Sequence, residues 1–295
     1  MDKLIITTGD PNGIGAEITI KALNKLGLPT DKVVLISNRK ILDFYGKLNK
    51  EYEILEIPFD EEIKPGHIAE ACGEFCFQSL KKACEIRGKG IVTAPVAKTA
   101  LHLAGYNFNG QTEILQKYLA HDNQLAEMLF VAGNFRVLLL TRHCALKDVV
   151  LTKELVIEKV TNLQKFFIEK FGISQPKFAL CGFNPHAGED GILGREEIEI
   201  LQPAVDVLRS RGLKITNPLP ADTLFIKAYD YDCIIANYHD QGLIPIKTLA
   251  GAKTVNMTIG LDVIRTSPGH GTAFDIAGKN HADETGMIEA IKALL

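Results

Sequence analysis

The stretch Leu4-Ile5-Ile6-Thr7-Thr8-Gly9-Asp10-Pro11-Asn12-Gly13-Ile14-Gly15 decides how the rest of the chain is read. Its first five residues form an apolar and β-branched run of strand length, too short for a helix. A turn punctuated by glycine and proline follows, and Glu17–Leu26 then carries apolar residues at helical spacing. The run is continuous rather than alternating, which predicts a strand buried on both faces, as in a parallel sheet covered by helices.

Outward from there the pattern repeats. Val33–Ser37, Ile91–Thr93, Met128–Val131, Val137–Thr141, Phe178–Cys181 and Cys233–Asn237 read as further buried strands. Ile68–Arg87, Glu154–Phe171, Glu196–Arg211 and Met287–Leu295 read as amphipathic helices, and Pro218-Leu219-Pro220 precedes a helix starting near Ala221, with Asp222 in its first turn. Strand–helix alternation predicts an α/β architecture with a mainly parallel, doubly covered sheet. There is no repeat, low-complexity tract or flexible linker, so two domains would require the chain to cross between them more than once.

The composition sets limits on function. The 295 residues are 46% hydrophobic and 23% charged, and 33 basic against 36 acidic residues give a net charge of −3. That balance provides no basic footprint for nucleic acid or an anionic membrane. The best apolar run, Met128–Thr141, is interrupted by Gly133, Asn134 and Arg136, and the N-terminus lacks a signal-peptide layout. Cys72, Cys76, Cys84, Cys144, Cys181 and Cys233 include no Cys-x-x-Cys pair, which fits reduced thiols in a cytoplasmic protein; Cys144 and Cys181 are expected to be small core residues.

Ligands of such sheets bind beyond the carboxyl ends of the strands. Three histidines lie just past predicted strand ends: His143 after Arg142, His186 within Asn184-Pro185-His186-Ala187-Gly188-Glu189, and His239 before Asp240. Neutral imidazoles could hold one divalent metal there, although spacings of 43 and 53 residues match no local metal motif and a structural role for each remains open. Asp240 could orient His239 or accept a proton. The loop Gly9–Gly15 joins a strand to a helix but is neither a Walker A loop nor Gly-x-Gly-x-x-Gly, so phosphate binding and an irregular turn both stay open. Leu261–Thr272 reads as a long polar loop. Lys247, Asn256 and Arg265 could together hold a carboxylate or phosphate, or be solvated surface.

Seven ordered motifs span the chain: Gly9–Gly15, Thr93-Ala94-Pro95-Val96-Ala97-Lys98, Gly110-Gln111-Thr112-Glu113, Asn184–Glu189, Pro220-Ala221-Asp222-Thr223-Leu224-Phe225, Tyr238-His239-Asp240-Gln241-Gly242 and His270-Gly271-Thr272-Ala273. Together they resemble the 4-hydroxythreonine-4-phosphate dehydrogenase family of vitamin B6 synthesis. The resemblance implies an isocitrate/isopropylmalate dehydrogenase-like fold of two α/β/α domains with the active-site cleft between them. Residues 1–106 plus 266–295 would form the first domain. Residues 107–265 would form the second, with most metal and substrate residues and the interface of a homodimer.

The resemblance further implies a divalent metal (zinc, magnesium or cobalt) on His143, His186 and His239, with the site completed across the dimer. It places substrate contacts at Gln111, Thr112, Lys247, Asn256 and Arg265. His270–Lys279 is similar to the loop by which isopropylmalate dehydrogenases hold the adenosine half of NAD, implying contacts from His270, Gly271 and Asp275, with Asp275 selecting against a 2′-phosphate. The implied reaction oxidises 4-phosphohydroxy-L-threonine at its C3 hydroxyl, with Asp240 or Lys247 as base, and decarboxylates the product to 3-amino-2-oxopropyl phosphate on the way to pyridoxal 5′-phosphate. Alternatives are a related phosphorylated four-carbon sugar acid as substrate, or phosphate acyltransferase-like activity. Gln111 replaces a histidine usual in the family, Ala16 a frequent proline, and Pro268-Gly269 bulkier residues.

Overall fold

A computed structural model describes residues 2–86, 88–121 and 124–295. The chain divides into two compact units, Met1–Ala126 with Ala252–Leu295, and Glu127–Gly251. In chain order the first contains β1 (Leu4–Thr7), α1 (Gly15–Leu26), β2 (Val33–Ser37), α2 (Arg39–Tyr45), β3 (Glu53–Glu56), α3 (Glu70–Ile86), β4 (Gly90–Thr93), α4 (Lys98–Leu103) and α5 (Gln111–Leu119). The second contains β5 (Glu127–Ala132), β6 (Phe135–Leu139), α6 (Lys153–Phe171), β7 (Lys177–Cys181), α7 (Gln202–Ser210), β8 (Lys214–Leu219), α8 (Ala221–Leu224), β9 (Cys233–Ala236) and α9 (His239–Ala250). The chain then returns to the first unit through β10 (Val255–Ile259), β11 (Arg265–Pro268) and α10 (Thr285–Lys292).

The first unit orders its strands β3-β2-β1-β4-β11-β10, parallel except for the antiparallel β10–β11 pair. Successive residues serve opposite cores. Leu4, Ile6, Val33, Leu35 and Val92 pack with Ile18, Leu23 and Ile291, whereas Ile5, Val34, Ile36 and Ile91 pack with Phe75 and Leu115. A continuous apolar strand is thus satisfied on both faces, and truncating a side chain such as Phe75 to alanine would cost about 3–5 kcal/mol. The second unit orders β5-β6-β9-β7-β8, with β5–β6 an antiparallel pair and the rest parallel.

Three expectations change. The units exchange after residue 126 and residue 251, not at 106/107 and 265/266. The reason is packing: α5 buries Ile114, Leu115 and Leu119 in the cores of the first unit, and β10 pairs with β11. Gln111, Thr112, Asn256 and Arg265 therefore belong to the first unit. Second, Leu261–Thr272 is not all loop, because Arg265–Pro268 is a wholly buried strand. Third, the helix expected over Glu196–Arg211 opens with a π turn, Glu197–Leu201, before α7. Among the described residues no helix is long and apolar enough to cross a membrane.

Candidate functional site

In the second unit, the ends of β6 and β9 are tied together by Leu140 and Thr141, whose backbone N–H groups donate to Ala236 and Asn237 carbonyls at 2.8 and 3.1 Å. Buried Asn237 donates from Nδ2 to the Cys181 carbonyl at 2.9 Å, and Gln241 from Nε2 to the Gly182 carbonyl at 2.7 Å, linking the end of β7 to the same edge. His143 follows β6 and His239 opens α9. This bracing sets their rings 5.4 Å apart, tilted by 48°. Both line a hollow of about 220 Å³ with Arg142, Cys144, Tyr238 and Asp240. His239 Nδ1 lies 2.7 Å from Asp240 Oδ1. A carboxylate only accepts, so Nδ1 carries the proton and Nε2 is left as the lone-pair donor for a cation.

His186 lies exposed in the turn Pro185–Gly191, whose residues 186–190 all adopt left-handed backbone angles. Among the described residues no three His, Cys, Asp or Glu side chains gather closely enough to hold a metal ion. The donor chemistry fits a divalent transition metal, since paired imidazoles with an outer carboxylate are its usual surroundings. Within one chain, two of the three expected ligands meet. Cys181 is buried as expected, but Cys144 is exposed on the hollow instead of filling a core, because it follows the end of β6. Lys247 is exposed on the last turn of α9.

The first unit holds a different kind of site. Arg265 opens β11, is 3% exposed, and donates from Nε to Thr93 Oγ1 at the end of β4 at 2.8 Å. No carboxylate among the described residues pairs with it, and burial pulls its pKa down to about 9, which still leaves it charged at neutral pH. A buried, unpaired cation is costly, so an anionic ligand is its natural complement. Gln111, the first residue of α5, donates from Nε2 to the Ala94 carbonyl at 3.1 Å and buries Oε1 without a partner among the described residues; Thr112 follows it. Asn256 Oδ1 on β10 is likewise buried and unpartnered. Thr93 was assigned no role from the sequence, although it opens the motif Thr93–Lys98 and closes an otherwise apolar strand with a hydroxyl.

The loop Gly9–Gly15 is an irregular brace. Asp10 N–H donates to the Pro95 carbonyl at 3.0 Å and Ile14 N–H to the Thr272 carbonyl at 3.1 Å. Gly9 has φ of 71°, and a Cβ there would sit 2.3 Å from the Pro95 oxygen, so glycine is required. Asn12 accepts from Lys64 N–H and donates to the His67 carbonyl. With these donors committed and the Asp10 carboxyl buried among them, the loop is no phosphate cradle. Burial pushes Asp10 up to about 6, against the hydrogen bonds that it accepts from the Asn12 and Ala97 backbone N–H groups and the Cys72 thiol.

The brace also anchors the segment that follows β11. Beyond Thr272, Ala282 N–H donates to buried Glu17 Oε1 at 2.8 Å, and Lys21 Nζ to the carbonyls of Asn280 and Ala282. His270 and Gly271 just before the first anchor are exposed, as is Asp275 between the two, whose carboxylate makes no ion pair among the described residues and is able to accept a hydrogen bond.

Residues 5–294 match the family described as Pyridoxal phosphate biosynthetic protein PdxA. The chain is 40% identical to the 4-hydroxythreonine-4-phosphate dehydrogenase of Sulfurihydrogenibium sp. (strain YO3AOP1), over 99% of this chain and 97% of that one. It is 37% identical to the D-threonate 4-phosphate dehydrogenase of Salmonella typhimurium, over 97% and 96%. A 4-hydroxythreonine-4-phosphate dehydrogenase structure from Klebsiella pneumoniae aligns with TM-score 0.88 at 31% identity, covering 100% and 98%. The isocitrate dehydrogenase of Methylococcus capsulatus, at 14% identity and TM-score 0.53 over 100% and 85%, shares the fold, as expected from the sequence.

Proposed function

The chain belongs to the pyridoxal phosphate biosynthetic protein PdxA family, and we propose on that premise that it oxidises 4-phosphohydroxy-L-threonine with NAD and a divalent metal. The observation that carries this reading is Arg265, a buried cation with no counter-charge among the described residues, which suits the substrate's phosphate. Thr112 and the Gln111 amide at the start of α5 are assigned to the same phosphate. Asn256 is assigned to the substrate's polar groups, and Lys247 is retained as a substrate contact.

His143, His186 and His239 are the proposed metal ligands, with zinc, magnesium or cobalt as candidate ions. A divalent cation there would supply Lewis acidity that lowers the pKa of the substrate's C3 hydroxyl. Asp240 holds His239 in the tautomer that ligates through Nε2, which makes Lys247 the better candidate to take the hydroxyl proton. NAD, when bound, would supply the hydride acceptor for C3 as that proton leaves; the resulting 3-oxo acid would lose carbon dioxide and take up a proton at C2 to give 3-amino-2-oxopropyl phosphate. His270, Gly271 and Asp275 are assigned to the adenosine half of NAD; the Asp275 carboxylate would repel the 2′-phosphate of NADP.

The set of ligands is completed, in this reading, by a second copy of the chain. Exposed apolar residues flank both histidine loops: Leu146 and Val150 beside His143, and Ile192 and Leu193 beside His186. Solvent-facing apolar side chains at an incomplete metal site fit a homodimer. The test is NADH absorbance with 4-phosphohydroxy-L-threonine and with D-threonate 4-phosphate, before and after chelation. Metal-dependent NADH formation with the hydroxythreonine preferred supports the proposal. Preference for the threonate reassigns the substrate, and absence of NADH formation with both refutes the reading.

A further inference from the structure

The turn Pro185–Gly191 holds His186 in backbone angles that its sequence disfavours. His186, Ala187, Glu189 and Asp190 have φ values of 53, 53, 44 and 54°. For residues bearing a Cβ, left-handed geometry costs about 1–2 kcal/mol each. Such a run persists only where its surroundings over-determine it.

The determining group is the Glu197 side chain, 6% exposed. Asn184 N–H donates to its Oε1 at 2.7 Å, and Asn184 Nδ2 donates to its Oε2 at 2.9 Å, so both oxygens hold the residue two positions before His186. A second bond from Nδ2, to Glu196 Oε2 at 2.6 Å, fixes the amide's rotation. Oε2 also closes over Gly188, where an added Cβ would lie 2.6 Å away. Glu197 opens the π turn Glu197–Leu201, a local departure from α-helix of the kind that recurs near functional sites.

We propose that Glu197 is a positioning residue for His186: through Asn184 and the floor of the turn, it fixes how the imidazole is presented to the metal. This rests on the reading of His186 as a ligand. Glu197 acts through the backbone and the Asn184 amide, with no contact to the cation.

The experiment measures zinc affinity of the full-length protein by competition with a chromophoric chelator, for wild type, Glu197→Ala, Glu197→Gln and His186→Ala. Glu197→Ala is expected to bind about tenfold more weakly, with wild-type circular dichroism and oligomeric state. Glu197→Gln, which keeps one acceptor for Asn184 N–H, should fall between. A Glu197→Ala protein with reduced thermal stability but wild-type zinc affinity would show a merely structural role and overturn the proposal. If Glu197→Ala does not fold, Glu197→Gln decides by the same criterion. His186→Ala separates the two readings. Weak binding there with unchanged Glu197 variants refutes only the positioning role, whereas wild-type affinity in His186→Ala removes the ligand assignment and the positioning role with it.

Discussion

The two units differ in what they leave unmatched, buried cationic charge in the first and exposed apolar surface in the second. The first pairs buried Glu17 with Lys21 but buries two further charges without a counter-ion among the described residues: Arg265 donates to the Thr93 hydroxyl, and Asp10 accepts from the Asn12 and Ala97 backbone N–H groups and the Cys72 thiol. The second buries Lys159 on α6 paired with Glu127 on β5, and Glu197 on the Asn184 N–H groups, and carries the most exposed large apolar side chains among the described residues. Ile192, Ile226 and Tyr229 are 79, 80 and 71% exposed, and Val150, Ile244 and Leu249 are exposed as well. A lone buried cation is costly unless a ligand neutralises it, and a run of exposed apolar residues is costly unless another surface covers it. The proposed anionic substrate would meet the first need in the first unit, and the proposed second copy of the chain the other need in the second.

The largest effect should come from the second unit's imidazoles. Replacing His143, His186 or His239 with alanine should each lower NADH formation by at least about a thousandfold, the loss of several kcal/mol of charge stabilisation by the metal. Wild-type rates from all three variants in chelator-treated buffer would remove the metal from this unit. Next in size is the apolar face. Ile226→Asp should weaken dimerisation by about a hundredfold, read by sedimentation at varied concentration. An unchanged association constant would leave that exposure without a partner and blur the contrast between the units.

The smallest effect concerns Asp10 and tests the first unit's tolerance of lone charge. Its folded-state pKa of about 6 lies above the unfolded value of 3.8, so the native state binds the extra proton between those values. Stability from this group is therefore present at low pH and lost as pH rises through that window, by about 3 kcal/mol at most. Asp10→Asn keeps an acceptor for Asn12 N–H, so it should raise the melting temperature at pH 8, change it little at pH 4, and flatten the profile between. A variant equally destabilised at both pH values would mean that the carboxylate is required by the brace.

What could be read in the sequence divides along physical lines. β1, β2, β4, β7 and β9 were legible because both of their faces are buried and their apolar runs are unbroken. β10 and β11 were hidden because Asn256, Thr258, Arg265 and Ser267 interrupt that signal, and two of these residues are assigned to the substrate. His143 and His239 were legible as residues past strand ends, and the structure pairs them. The left-handed turn at His186 was not, because four of its five left-handed residues carry a Cβ and glycine is the only local sign of such geometry. The boundary between units was missed because α5 follows α4 with no change of composition. Only the burial of Ile114 and Leu115 assigns α5 to the first unit.

The claim that the first unit's buried charge exists for the ligand is tested most directly at Arg265. Arg265→Met replaces the guanidinium with an apolar chain that fits a buried strand position. KM for 4-phosphohydroxy-L-threonine should rise by about a hundredfold, the equivalent of a lost charge-assisted contact of roughly 3 kcal/mol. The melting temperature of the ligand-free protein should stay level or increase, because an unpaired buried charge has been removed. A protein that loses stability yet keeps its KM would show that Arg265 serves the fold, and would contradict the account.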